Sequence, residues 1–114
     1  MGMRRNIALN YGANEEKNRT DKIYLYTHWG AEGLEESLAK SLDRGRGRWT
    51  DPSYLSRIIF TDMTKDVGDE LTGYGLAPYE VDPEFDTLEV DLEKQTVNGV
   101  GYEAFISNPQ MFAI

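Results

Sequence analysis

The stretch Ile23-Tyr24-Leu25-Tyr26-Thr27-His28-Trp29-Gly30 decides how the rest of the chain is read. Ile23, Leu25, Thr27 and Trp29 alternate with Tyr24, Tyr26 and His28, the period of two at which successive side chains point to opposite faces of a strand. Both faces are apolar or aromatic. The run therefore predicts an interior strand, with one face on the core and the Tyr24/Tyr26/His28 face against something else. Gly30 ends it. Upstream, Ile7, Leu9 and Tyr11 alternate in the same way, and the polar residues 12–21 between the two runs complete a predicted β-hairpin.

Downstream the period changes. Leu34, Leu38 and Leu42, with Ala31 and Ala39 alongside, form an apolar stripe at helical spacing, with Glu35, Glu36 and Lys40 assigned to the wet side and Gly45 to the stop. A second helix starts at Thr50 or Asp51 as cap, with Pro52 at its first position, and buries Leu55, Ile58, Ile59 and Met63, widened by Tyr54 and Phe60. Residues 73–79 read as a loop or short edge strand. Alternation returns at Leu88, Val90 and Leu92 against Glu89, Asp91 and Glu93, a tight connection follows at Glu93-Lys94-Gln95, and residues 96–106 read as a returning strand interrupted at Asn98-Gly99 and Gly101. The order is ββααββ. It predicts a single small α+β domain over residues 1–114, a largely antiparallel sheet with two helices packed on one face. The apolar tail, with Met111, Phe112 and Ile114, requires docking on its own domain or on a neighbouring subunit.

Composition bounds the function. The chain has 114 residues, 39% of them hydrophobic and 28% charged, which suits one globular domain and no deep internal site. It has no cysteine and one histidine, so disulfides, thiolate zinc sites, cysteine nucleophiles and His-rich metal sites are excluded. No apolar run approaches the ~18–20 residues that span a bilayer, and residues 1–6 lack the apolar core of a signal peptide. Cytoplasmic residence is the expectation, with no membrane partner. The net charge of -8 is unevenly distributed. Residues 1–61 hold every arginine and a slight basic excess, whereas residues 62–114 hold Lys65 and Lys94 against twelve acids. Such a split marks two faces with different partners, including two faces of a self-association.

Two groups of residues can bind an anion. His28-Trp29-Gly30 stands at a strand end, before a helix start whose backbone N–H groups receive negative charge. Arg44, Arg46 and Arg48, spaced by glycines and closed by Trp49, combine guanidinium forks for phosphate with an indole that can stack on a base. The predicted ligand-binding set is thus Tyr24, Tyr26, His28, Trp29, Arg44, Arg46, Arg48 and Trp49, with a small phosphorylated ligand as its partner. The net charge opposes duplex nucleic acid. Catalytic residues, metal and cofactor are not predicted: Ser37, Ser41 and Ser53 lack a nucleophile-elbow pattern, and Asp82-x-Glu84-x-Asp86 fails as a calcium loop because Thr87 replaces the turn glycine and Pro83 intrudes.

The stretches of residues 22–30, 44–49, 54–60 and 72–76 resemble small uncharacterised proteins of tailed bacteriophages, particularly those of actinobacterial hosts. The resemblance implies an accessory protein that acts by binding, as in countering a host defence protein or sequestering a nucleotide signal. The leading expectation is a non-enzymatic homo-oligomer that binds an anionic ligand. An acidic inhibitor or nucleic-acid mimic acting through residues 82–93 and a small hydrolase using His28 are the alternatives.

Overall fold

The structure, a computed structural model, describes residues 4–28, 33–65, 71–81 and 86–112, the side chains of Met111 and Phe112 excepted. Its elements run β1 (Arg5–Asn14), β2 (Arg19–Thr27), α1 (Leu34–Arg44), α2 (Pro52–Thr64), β3 (Tyr74–Ala77), β4 (Thr87–Asp91), β5 (Thr96–Val97), β6 (Val100–Gly101) and α3 (Tyr102–Ser107). All six strands form one sheet in the order β3-β2-β1-β4-β5-β6. Every neighbouring pair is antiparallel except β1 with β4. The predicted α+β class and mostly antiparallel sheet are present, and a third helix joins the expected pair.

β1 and β2 form the expected hairpin, and their ladder reaches further into the polar connection than its composition suggested. Pairing runs from Arg5↔Thr27 to Asn14↔Arg19, with an irregularity between Asn10 and Gly12 that Gly12 meets at φ 94°. The Asn10 carboxamide accepts the Gly12 N–H there, at 2.8 Å. Only residues 15–18 lie outside the ladder. Asn14 caps their single turn by accepting the Lys17 N–H, and Asn18 closes it in the left-handed region. Polar residues here line a solvated ladder and interrupt nothing.

α1 buries the predicted stripe of Leu34, Leu38, Ala39 and Leu42. Glu35, assigned above to the wet side, is buried as well, because Arg5 of β1 reaches it at 2.7 Å. Gly45 ends the helix, and its missing side chain matters to packing: a Cβ would stand 2.9 Å from Leu55 Cδ1 and 3.0 Å from the Ser41 carbonyl. In α2, Pro52 occupies the first turn as expected, but the carboxylate of Asp51 accepts the Ser53 hydroxyl and caps no N–H.

The returning strand is shorter than the reading of residues 96–106 supposed. β5 and β6 carry two residues each around the turn at Asn98 and Gly99, and the chain then coils into α3. The reason is visible in the spacing, since Tyr102, Phe105 and Ile106 recur at helical intervals after Gly101, and Tyr102 and Phe105 both reach the core.

One cluster joins Ile7 and Leu9 of β1, Leu25 of β2, Leu88 and Val90 of β4 and Val97 of β5 to the apolar residues of all three helices. The register confirms that these strand residues share a face, because Ile7 pairs with both Leu25 and Leu88, and Leu9 pairs with Val90. Ala8, Asn6, Tyr24 and Tyr26 therefore occupy the opposite face. β3 lies at one edge of the sheet and β4 beyond β1, and of the connection between them residues 78–81 and 86 are described. Asn6 donates its side-chain N–H to the Val81 carbonyl and Pro78 lies beside Tyr24, so residues 78–81 run over the Tyr24/Tyr26 face.

Candidate functional site

β2 presents Tyr24 and Tyr26 on one side, with His28 just past its end, and that side meets a piece of the same chain. Tyr24 pairs with Ala8 and Ala77, and Tyr26 with Asn6 and Gly75, all small or amide residues that leave room above the sheet. Pro78 and Tyr24 line a shallow hollow with Arg19 and Lys22, and Asn6 is fully buried under the crossing connection. The His28 N–H is bonded to the Gly73 carbonyl at 2.8 Å, tying the strand end to β3. Trp29, the fourth member of this group, lies outside the described residues, as do Asp82 and Glu84 of the acidic stretch.

The arginine loop is held by carboxylates. Arg44 grips Asp62 with two hydrogen bonds, Nη2 to Oδ1 at 2.7 Å and Nε to Oδ2 at 3.2 Å. Arg46 bridges Asp43 at 2.7 Å and Glu103 at 2.8 Å, and these bonds raise its already high proton affinity further. Arg48 lies 3.8 Å from Asp51 and stacks its guanidinium on Tyr54. The indole of Trp49 donates to the Leu42 carbonyl at 2.8 Å and meets Tyr102 edge-on at 5.0 Å. It sits partly buried against the core, with the Arg46 guanidinium over its ring at 5.1 Å. The structure thus brings Arg44, Arg46, Arg48 and Trp49 together as a brace between α1, α2 and α3, and Tyr24 and Tyr26 lie on the face of the sheet opposite Leu25 and the other strand residues of the core cluster.

The acidic strand β4 is similarly occupied. Glu89 accepts from Lys22 and Asn10, and Asp91 accepts the N–H groups of Glu93 and Lys94 in the turn that follows. The bond from Glu89 holds the Lys22 ammonium above its ordinary range.

A cavity of about 280 Å³ lies between α1, α2 and the end of the sheet where β2 meets β3. Leu34, Leu38, Ile59 and Met63 supply apolar walls. Ser37, Lys40, Ser41, Asp62, Lys65 and Tyr74 supply the polar ones. Ser41 is buried and donates to the Asp62 carboxylate at 2.9 Å. Burial pushes the Asp62 carboxyl up, but its hydrogen bonds from Arg44 and Ser41 outweigh that and hold it below the ordinary aspartate value of 3.8. With Asp62 neutralised by Arg44, the open charges on the rim are Lys40 and Lys65, neither of which forms an ion pair among the described residues. The sequence reading placed Lys40 on the wet side and noted Lys65 and Lys94 as the bases of an acidic half. What it missed is that the row Ser37, Lys40 and Ser41, which flanks the leucine stripe, turns toward α2.

Among the described residues no group of three His, Asp or Glu side chains could hold a metal ion, and no helix is long and apolar enough to cross a membrane. Together these features define an α+β domain with a mixed six-stranded sheet and one amphipathic cavity. No protein family, curated protein or solved structure matches the chain.

Proposed function

We propose that the protein is a non-enzymatic binding module that holds a small anionic ligand in the cavity between α1, α2 and the β2–β3 end. The carrying observation is the pairing of an apolar wall with two lysines on the rim, neither in an ion pair among the described residues, although the Lys65 charge is near enough to Asp62 to lower its carboxyl. Such a lining suits a ligand with an apolar or aromatic body and one or two negative groups, and the volume approaches the ~300 Å³ at which small-molecule sites begin. On this reading the three helices cover one face of the sheet, and the cavity is the gap they leave at its end. The resemblance to tailed-phage proteins supports an accessory role in an infected cell, where sequestering a nucleotide-like signal needs binding and no turnover. The arginine loop serves this role indirectly, by fixing the angle between α1 and α2.

The test is thermal denaturation against a panel of nucleoside mono-, di- and triphosphates and short fatty acids. At least one class raises the midpoint of the wild type. The double variant Lys40→Glu, Lys65→Glu abolishes that rise, whereas Arg48→Gln retains it. No shift with any member at millimolar concentration, or a shift that survives reversal of both lysines, refutes the reading.

A further inference from the structure

We propose that the outward face of α2, built on Tyr54, Arg57 and the Arg48 guanidinium laid over Tyr54, is a docking surface for an acidic segment of another protein. α2 turns Leu55 and Ile59 into the core, which leaves Ser53, Tyr54, Arg57 and Thr61 on its exposed side. Tyr54 and Arg57 stand three residues apart and are neighbours there. Tyr54 is 52% exposed, one of four large hydrophobic residues so placed among the described residues. Arg48 comes from the turn before the helix and holds its guanidinium 4.7 Å from the centre of the Tyr54 ring.

Charge selects the occupant. Residues 44–65 carry five bases against Asp51 and Asp62, the reverse of the chain's net charge of -8. Arg44 is taken by Asp62, and Arg46 by Asp43 and Glu103. Arg48 has only Asp51 at 3.8 Å, beyond hydrogen-bond distance, and the Arg57 guanidinium has no ion pair or hydrogen bond among the described residues. Two guanidinium groups thus keep their donors open beside an exposed ring. Arginine and tyrosine together are what interface centres are made of. The ring supplies apolar area, and a guanidinium already stacked on it needs little further ordering to take a carboxylate with two parallel bonds. Nucleic acid suits the face poorly, since two open arginines neutralise few phosphates and the net charge repels the rest. A short acidic segment concentrates its charge on the two arginines, while an apolar side chain within it covers Tyr54. Arg48 and Arg57 do not line the cavity, so the two surfaces can be tested apart.

Selection of peptides from a random displayed library against the purified protein tests this, followed by fluorescence anisotropy of the selected peptides. The expected sequences set aspartate or glutamate around an aromatic or aliphatic residue, and their affinity falls as salt is added. Arg48→Glu with Arg57→Glu weakens them by at least about thirtyfold, the usual loss at an interface centre, and Tyr54→Ala weakens them with no change of charge. Lys17→Glu with Arg19→Glu, at the tip of the β1–β2 hairpin, changes the net charge as much and leaves binding within about threefold, since screening confines exposed charges to short range. All these side chains are exposed, and the variants keep the wild-type circular dichroism. Selected peptides without an acidic bias, or equal weakening by the two charge reversals, overturn the proposal. A single-stranded oligonucleotide that binds more tightly than the peptides overturns it in favour of nucleic acid. Self-association of the wild type that Arg48→Glu with Arg57→Glu abolishes overturns it in favour of a second copy.

Discussion

Arg5 and Glu35 place two opposite charges where solvent barely reaches, each side chain 4% exposed and 2.7 Å apart. Removing one partner leaves the other charge buried, which costs about 3–5 kcal/mol in comparable pairs, a large part of the stability of a domain this size. Glu35→Leu should therefore lower the urea midpoint steeply, and adding Arg5→Met should restore most of the loss. Asp62 makes a prediction of the opposite kind, on pH. Its folded-state carboxyl titrates below the ordinary 3.8, so its contribution is fully present above that value and is lost as pH falls through the depressed one. Stability measured from neutral to strongly acidic pH should fall less steeply in Asp62→Asn than in the wild type. Neither residue was legible beforehand. Glu35 sits beside Glu36 in a first helical turn where carboxylates normally face water, and only the far end of β1 explains its burial. Arg44, Arg46 and Arg48 read as anion ligands because their type and spacing are the same whether the anion is a phosphate or a carboxylate of the chain itself.

At the scale of elements, long periodic runs were legible and junctions were not. The hairpin, the leucine stripe of α1, the Pro52 start of α2 and the edge position of β3 all follow from local pattern. α3 was read as strand because six residues carry too few repeats to separate the two periods, and its two core contacts decide the matter. Phe105, fully buried, should cost about 3–5 kcal/mol when cut to alanine, measurable by chemical denaturation. The α1–α2 corner depends on a shape that no pattern encodes. Gly45→Ala must push Leu55 or the Ser41 carbonyl aside, and a loss of about 1–3 kcal/mol is expected from overpacking, with no gain from the better helix former. The backbone turn of residues 109–112 lies against α1, whereas the side chains of Met111 and Phe112 and all of Ile114, on which the expected docking of the tail rests, lie outside the described residues.

For the whole molecule, the uneven charge takes on a different meaning. Arg44–Asp62, Lys22–Glu89 and Arg46–Glu103 each join the basic first half to the acidic second half, so much of the asymmetry is consumed inside the fold. The residual -8 still acts between molecules.

The parallel pairing of β1 with β4 sets an order of events during synthesis. Asn6 to Asn10 wait for Thr87 to Asp91, so the nascent chain carries Ile7, Ala8 and Leu9 on a strand with one bare edge while nearly eighty further residues are made. The β1–β2 hairpin forms early and stays half-dressed until the ribosome has delivered β4. In that interval, more than in the finished protein, this small acidic chain depends on protection from its neighbours.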